Sequence, residues 1–272
     1  MAGINHLELY RHLDKSNCRE CGVPTCMAFA LAVINGEKNI QDCPHLEGDA
    51  AEALEGKIVR RDRDRDFEAA IAPLKKAISE IDFSAVAGGL GAELAGERLR
   101  INCLGKDFFI DTKGNLESAI HINTWILMPL LKYIKTGGNK KLTGRWIAFE
   151  DLKKGATLAR YFNRRCEEPL RQLAESHTKI FFDLLNIFGG KRQEGHSADY
   201  ARVIHPLPRI PFLLLYWKRE GQFESNLKVL LDSTADTYLD AHSIYILGRG
   251  IVEMFKRILS RHDELIPALL SL

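Results

Sequence analysis

Asn17-Cys18-Arg19-Glu20-Cys21-Gly22-Val23-Pro24-Thr25-Cys26-Met27-Ala28-Phe29-Ala30, followed downstream by Asp42-Cys43-Pro44, carries four of the six cysteines of this 272-residue chain. Their spacing is Cys18-x2-Cys21-x4-Cys26-x16-Cys43. Six cysteines are too sparse for a disulfide scaffold, and four of them crowd one short segment. Three thiolates from one tight loop and a fourth from a later turn meet the tetrahedral corners that a 4Fe-4S cube needs. Gly22 bends freely, and Pro24 lacks an N–H and fixes φ, so both suit such a loop. Thr25 is a predicted N-cap, which puts Cys26 in the first turn of a helix and turns that helix's positive end toward the thiolates. A thiolate-ligated cube carries about −2 in its oxidised form, so exposed N–H groups, Lys15 and Arg19 are placed to moderate it. Pro44 turns the chain away after Cys43.

Two other chemistries use the same residues. Structural zinc also takes four thiolates, although zinc sites usually pair their ligands as two separated Cys-x2-Cys knuckles, and the second pair is missing here. A redox dithiol at Cys18 and Cys21 leaves Cys26 and Cys43 unexplained and lacks a thioredoxin-like βαβ context. Spacing alone favours iron–sulfur over both.

Working outward, 46% hydrophobic residues are ample for a packed core, and 38 Lys+Arg nearly cancel 36 Asp+Glu. The net charge of +2 argues against a nucleic-acid binder. That average hides an asymmetry: residues 1–59 hold 5 basic and 9 acidic residues, net −4, and the remainder 33 and 27, net +6. The N-terminus has neither a basic n-region nor an unbroken apolar h-region. The longest apolar stretches, such as Pro211 to Trp217, fall far short of the about 20 residues that span a bilayer. The chain therefore reads as a soluble cytoplasmic protein, where clustered thiols bind metal or do redox chemistry.

No internal repeat or low-complexity tract appears. The run Arg60-Arg61-Asp62-Arg63-Asp64-Arg65-Asp66 is a solvated segment or the first turn of a helix, and it marks a boundary between a module at 1–59 and a body at 60–272. The module reads as helical, with Leu7, Tyr10 and Leu13 on one face of a first helix. Met27, Ala30, Leu31 and Ile34 share a face of a second, stopped at Gly36. In the body, a helix is predicted over Phe67 to Ile81, entered or bent near Pro73, followed by a loop over Ala87 to Gly91. The alternation of Leu99, Ile101 and Cys103, continued over Asp107 to Asp111 beyond Gly105-Lys106, predicts a hairpin. Further strands are expected over Leu116 to Ile122, Lys141 to Phe149 and Phe212 to Trp217, the last buried on both faces and approached through a rigid His205 to Pro211 segment. Helices are expected over Trp125 to Lys135, over Ala156 to Phe188 with a break at Glu168-Pro169, and from about Ser243 to Ser260. Strands and helices mix without regular βαβ alternation, so the class is α+β: a small helical iron–sulfur module followed by a larger mixed domain.

The string from Asn17 to Ala30, with Asp42-Cys43-Pro44, closely resembles the four-cysteine iron–sulfur module of the corrinoid iron–sulfur protein large subunit and of the Rnf electron-transport complex B subunit. Gly22, Thr25 and Phe29 match as well as the cysteines, over about Leu7 to Leu46. The resemblance implies that Cys18, Cys21, Cys26 and Cys43 bind one 4Fe-4S cluster. From about Arg65 onward the chain is similar to an uncharacterised domain family of anaerobic bacteria and archaea, often found directly behind this module. Thr143-Gly144-Arg145-Trp146-Ile147-Ala148-Phe149-Glu150-Asp151-Leu152, Pro206 to Pro211 and Leu230 to Leu239 carry that similarity. A body of roughly 210 residues is too short for the TIM barrel and B12 domain expected of the corrinoid protein, so a bound corrinoid is not implied.

Other candidates read as structural. Cys103 and Cys166 are isolated and packing suffices to explain them. Gly89-Leu90-Gly91 is not completed to a dinucleotide fingerprint, because Leu94 stands where the last glycine belongs. His121, His177, His196, His205, His242 and His262 are dispersed, with no zinc-protease pair or nucleophile elbow. Asp232 and Asp236 read as helix caps, with a ligand site as the alternative, and Trp146, Tyr216 and Trp217 as core with a cofactor pocket as theirs. No catalytic constellation is visible. The chain is expected to be a one-electron carrier or redox partner in anaerobic metabolism, its partner a protein such as a corrinoid or methyl-transfer protein. The competing readings are a redox enzyme or activator whose body binds a substrate or corrinoid, and a zinc-stabilised interaction module.

Overall fold

The computed structural model describes residues 4–58, 63–119 and 123–270, in two compact units, Met1–Ala72 and Pro73–Leu272. The first unit is helical. Helix α1 (His6–Arg11) starts at Asn5, whose side chain accepts the Leu7 and Glu8 N–H groups while the Glu8 carboxylate accepts that of Asn5. Helix α2 (Cys26–Ile34) is followed by a 3-10 turn at Ile40–Asp42 and by α3 (Gly48–Glu55). Gly36, at φ +72°, closes α2 with a Schellman pair: its N–H reaches Val33 O, and that of Glu37 reaches Ala32 O. Ile4 N–H donates to Lys57 O at 3.0 Å and ties the two ends of this segment together.

The predicted faces of α1 and α2 are corrected. Leu13 and Ala30 are buried as expected, but so are Leu9 and, on α2, Cys26, Phe29, Ala32 and Val33, whereas Leu7 is 51% exposed and Leu31 45%. Helix α2 is apolar on every side, so its periodicity carries almost no phase. Cys26 supplies it: once its thiol faces the cysteine loop, the positions three, four and seven residues on follow it inward.

Helix α4 (Arg63–Ile78) begins within the charged run, whose residues 63–66 form its first turn, and Pro73 lies inside it. Residues 60–62 of that run are outside the described residues. In the second unit, α5 (Phe83–Leu90) replaces the expected glycine loop. Asp82 caps it through Ser84 N–H at 2.8 Å, Phe83, Ala87 and Leu90 are buried, and Gly91 at φ +66° ends it. Gly89 is needed for contact, since a Cβ there would sit 1.9 Å from Gly138 O.

Strands β1 (Glu93–Ala95), β2 (Arg98–Cys103), β3 (Lys106–Ile110) and β4 (Leu116–Ser118) form an antiparallel meander. The predicted hairpin is β2–β3. Cys103 pairs with Lys106, so the turn is Leu104-Gly105, both at positive φ as a tight hairpin turn requires. The expected strand over 116–122 stops at Ser118; 120–122, with His121, lie outside the described residues. Helix α6 (Thr124–Thr136) agrees with expectation.

The second sheet, in the order β5-β9-β8-β7-β6, is antiparallel throughout. It contains β5 (Trp146–Ala148), β6 (Lys191–Arg192), β7 (Tyr200–Leu207), β8 (Ile210–Trp217) and β9 (Asn226–Asp232). Strand β8 is central and buried on both faces up to Trp217, as its apolarity predicts. The segment 205–211 is not an approach to a strand but the end of β7, a two-residue turn and the start of β8. Prolines hid it: Pro206 has no N–H for the ladder, and the register slips between Ile204 and Leu207.

Helices α7 (Ala159–Phe162), α8 (Glu168–Ser176) and α9 (Thr178–Ile187) run in series, with a π-helical turn at Asn163–Glu167. The break falls at His177, not at Glu168-Pro169, because Pro169 stands in the first turn of α8, where no N–H is needed. Helix α10 (Ala241–Leu270) closes the chain and is capped by Asp240, which accepts Ser243 N–H at 2.8 Å.

Candidate metal centre

The loop leading into α2 is wound unusually tightly. Lys15, Asn17, Arg19 and Gly22 take φ values of 65°, 54°, 69° and 74°. Three of these are not glycine, a conformation that costs about 1 kcal/mol each and persists only when the surroundings enforce it. Such alternation turns successive peptide N–H groups to one side, a recurrent way of making a cradle for anions. The Asn17 carboxamide accepts Cys26 N–H at 2.8 Å, and Thr25 Oγ accepts Ala28 N–H at 3.1 Å. Thr25 is thus the N-cap that the sequence predicts, and Cys26 opens the helix.

Cys43 arrives from a separate turn. Asp42 accepts Asn39 N–H at 3.0 Å, and Cys43 N–H donates to Ile40 O at 3.3 Å, which fixes the residue as the chain leaves the 3-10 turn. The result is a small concavity lined by Cys18, Cys21, Cys26 and Cys43 together with Asn17, Arg19, Phe29 and His45. All four thiols are free of disulfides; Cys26 and Cys43 are buried, Cys21 is half-buried and Cys18 is exposed.

Burial pushes the Cys43 thiol up, a hydrogen bond from the His45 backbone lowers it, and the charges of Cys21, Cys26 and Cys18 raise it further. A cation bound among the four reverses the sign of that last effect, because thiolates that repel one another then share a positive centre. The donor set fits an iron–sulfur group: soft thiolates stand at one locus, with apolar Val23 and Phe29 beside them. Of the two cations expected to moderate the charge, Arg19 lines the concavity, whereas Lys15 lies over the Tyr10 ring at 5.7 Å. Glu20 and His45 were not singled out by the sequence. His45 Nε2 stands 3.8 Å from Glu20 Oε2, and the only signal for them was their place beside Cys21 and Cys43 in the sequence.

The other candidates fall elsewhere, in the second unit. Cys103 and Cys166 are buried singly. Asp232 and Asp236 do not share a helical face. Asp232 ends β9, where its carboxylate accepts the N–H groups of Thr143, Gly144 and Thr234 at 2.9, 2.7 and 3.0 Å. Asp236 sits in a 3-10 turn and accepts Lys153 N–H at 2.9 Å. Trp146 and Trp217 pack on one sheet face with Leu213 and Leu215, whereas Tyr216 lies on the other beside Phe182, so the three line no common pocket. His205 lies on β7 and His242 on α10, whereas His177 stands between α8 and α9 and His196 in the loop between β6 and β7.

The wound cysteine loop and its concavity define an iron–sulfur cluster domain, and residues 13–45 match the family described as "Putative Fe-S cluster". Over most of its length the chain belongs to the family described as "Domain of unknown function (DUF3786)", which matches residues 82–254. It is similar to the corrinoid/iron-sulfur protein large subunit of Moorella thermoacetica, 44% identical over 52 residues, which are 19% of this chain and 12% of that protein. The gamma subunit of the acetyl-CoA decarbonylase/synthase complex of Methanothermobacter thermautotrophicus is 42% identical over 55 residues, 20% of this chain and 12% of that subunit. The gamma 2 subunit of Methanosarcina mazei is 29% identical over 167 residues, 60% of this chain and 34% of that subunit. The chain thus spans between about an eighth and a third of the length of these curated relatives. No solved structure matches it. Among the described residues no helix is long and apolar enough to cross a membrane.

Proposed function

We propose that this chain is a cytoplasmic 4Fe-4S protein that passes single electrons to a protein partner in anaerobic metabolism, with Cys18, Cys21, Cys26 and Cys43 as the ligands of one cluster. The observation that carries this reading is that four free thiols, three from one wound loop and one from a distant turn, line a single concavity. When bound, such a cluster supplies a one-electron couple. The chain's own residues hold the donors in place while the charge changes. Asn17 anchors the Cys26 backbone, Thr25 caps α2, and the 3-10 turn fixes Cys43. Phe29, fully buried, keeps water from the inner side, and the exposed Cys18 marks the edge through which an electron leaves. The body serves to dock the partner. Similarity to subunits of corrinoid and acetyl-CoA complexes supports a corrinoid or methyl-transfer protein in that role.

The test is purification without oxygen. A broad absorption near about 400 nm that bleaches with dithionite, with about four irons and four sulfides per chain, is the expected result. A colourless protein holding one zinc overturns it.

A further inference from the structure

The four thiols are not equivalent. Cys26 and Cys43 are each only 9% exposed, whereas Cys18 is open to solvent. Beside Cys18 stand two further metal-ligating groups. One ligand atom from each of Cys18, Glu20 and His45 lies within 4.8 Å of the others. Ligands bound to one tetrahedral ion at about 2.0–2.3 Å stand roughly 3.3–3.8 Å from one another, so small rotations of exposed side chains close the set. Glu20 lies between Cys18 and Cys21, and His45 follows Cys43 by two residues, so the loops that place the thiols also place these groups. Among the described residues no such group forms around Cys21, Cys26 or Cys43. Imidazole, carboxylate and thiolate are all ordinary ligands of zinc, and imidazole also suits iron.

We propose that Cys18, Glu20 and His45 form an exchange corner, at which one divalent ion, ferrous iron or a zinc or cobalt(II) substitute, leaves and returns while Cys21, Cys26 and Cys43 retain the rest of the cluster. This rests on the iron–sulfur reading of the same cysteines. With ferricyanide as the one-electron oxidant, a cube of two ferric and two ferrous irons gives one electron to ferricyanide and releases one ferrous ion. Three ferric irons and four sulfides stay behind. The bonds broken are those from the departing iron to the Cys18 thiolate and to three sulfides, and ferrous ion with one electron from dithionite restores them. Glu20 and His45 hold the ion during departure and re-entry.

The experiment oxidises the anaerobically purified full chain with one equivalent of ferricyanide beside a ferrous chelator, counts iron and sulfide, and records the EPR spectrum. The expected result is a loss of about a quarter of the iron with sulfide unchanged, a three-iron EPR signal, and recovery on adding ferrous ion and dithionite. In the Glu20→Gln/His45→Gln double variant, iron loss accelerates about tenfold. Cys18→Ala retains a three-iron cluster, whereas Cys26→Ala retains none. The inference is overturned by a cluster that stays whole, by one that collapses with no three-iron stage, or by an unchanged rate in the double variant. A chain holding no iron and sulfide before oxidation overturns the iron–sulfur reading instead, so the two failures are distinguishable.

Discussion

Cysteine behaves in opposite ways in the two units. In the first, four thiols share one concavity, and the charges of the other three raise the Cys43 thiol. In the second, Cys103 on β2 and Cys166 in the π-helical turn are buried one at a time. Burial raises the Cys103 thiol far above its usual range, helped by Asp107. It pushes Cys166 up to about 12, with Glu167 adding to the effect and Arg249 opposing it. A thiol surrounded by carbon is an inert core residue, and a thiol among thiols calls for a metal. The cores differ correspondingly. The first unit's cluster of buried residues is small and includes Cys26 and Cys43 themselves, so the cysteine site is part of its packing. The second is held by large aromatic contacts, such as Phe182 stacked on Tyr200 at 4.1 Å and Phe149 on Phe162 at 4.1 Å.

The sharpest way to break this contrast is to remove the metal. In Cys43→Ala, or after chelation, amide protection in residues 4–58 should collapse while that of the second unit persists. A structural metal site contributes on the order of 10 kcal/mol to so small a core, and hydrogen exchange read segment by segment measures it. Equal loss in both units would erase the distinction.

A smaller effect is confined to the second unit. Asp232→Ala strands the N–H groups of Thr143, Gly144 and Thr234 and should cost about 3 kcal/mol in denaturant unfolding, with iron content unchanged. Burial alone would raise the Asp232 carboxyl; hydrogen bonds from the Thr234 hydroxyl and N–H, Gly144 N–H and the Thr143 hydroxyl outweigh it and hold it below the usual carboxylate range. Because the folded pKa lies below the unfolded value of about 3.9, the stabilisation is complete above that pH and is lost as pH falls through the folded value. Asp232→Asn should flatten that acid limb of the stability curve.

Gly89→Ala drives a Cβ against Gly138 O and should cost about 2 kcal/mol, again only in the second unit. The smallest change is Cys166→Ala, at about 1 kcal/mol, with iron content and visible spectrum intact. Any loss of iron there would make Cys166 more than packing.

Legibility in the sequence followed the range of the interactions. The β2–β3 hairpin was readable because alternation and turn residues lie within a dozen positions. The β7–β8 hairpin was not, since its prolines mimic a linker until the neighbouring strands are seen to hold them. Helix α5 was hidden because glycines read as breakers; the cap at Asp82 and the close approach of Gly138 outweigh their low propensity. At the metal centre the four cysteines and the Thr25 cap were legible, whereas Glu20 and His45 resembled ordinary solvated charges. Only the meeting of two loops puts them side by side.

By itself, then, the sequence determined the four thiols, their spacing and the helix that starts at Cys26, because covalent spacing, caps and turns act over a few residues. The tertiary structure decided which face of α2 is buried, which cysteine stays open to water and which carboxylate clamps the end of β9. Those depend on what distant segments bring to the same place, and burial and charge are properties of that place, not of the residue.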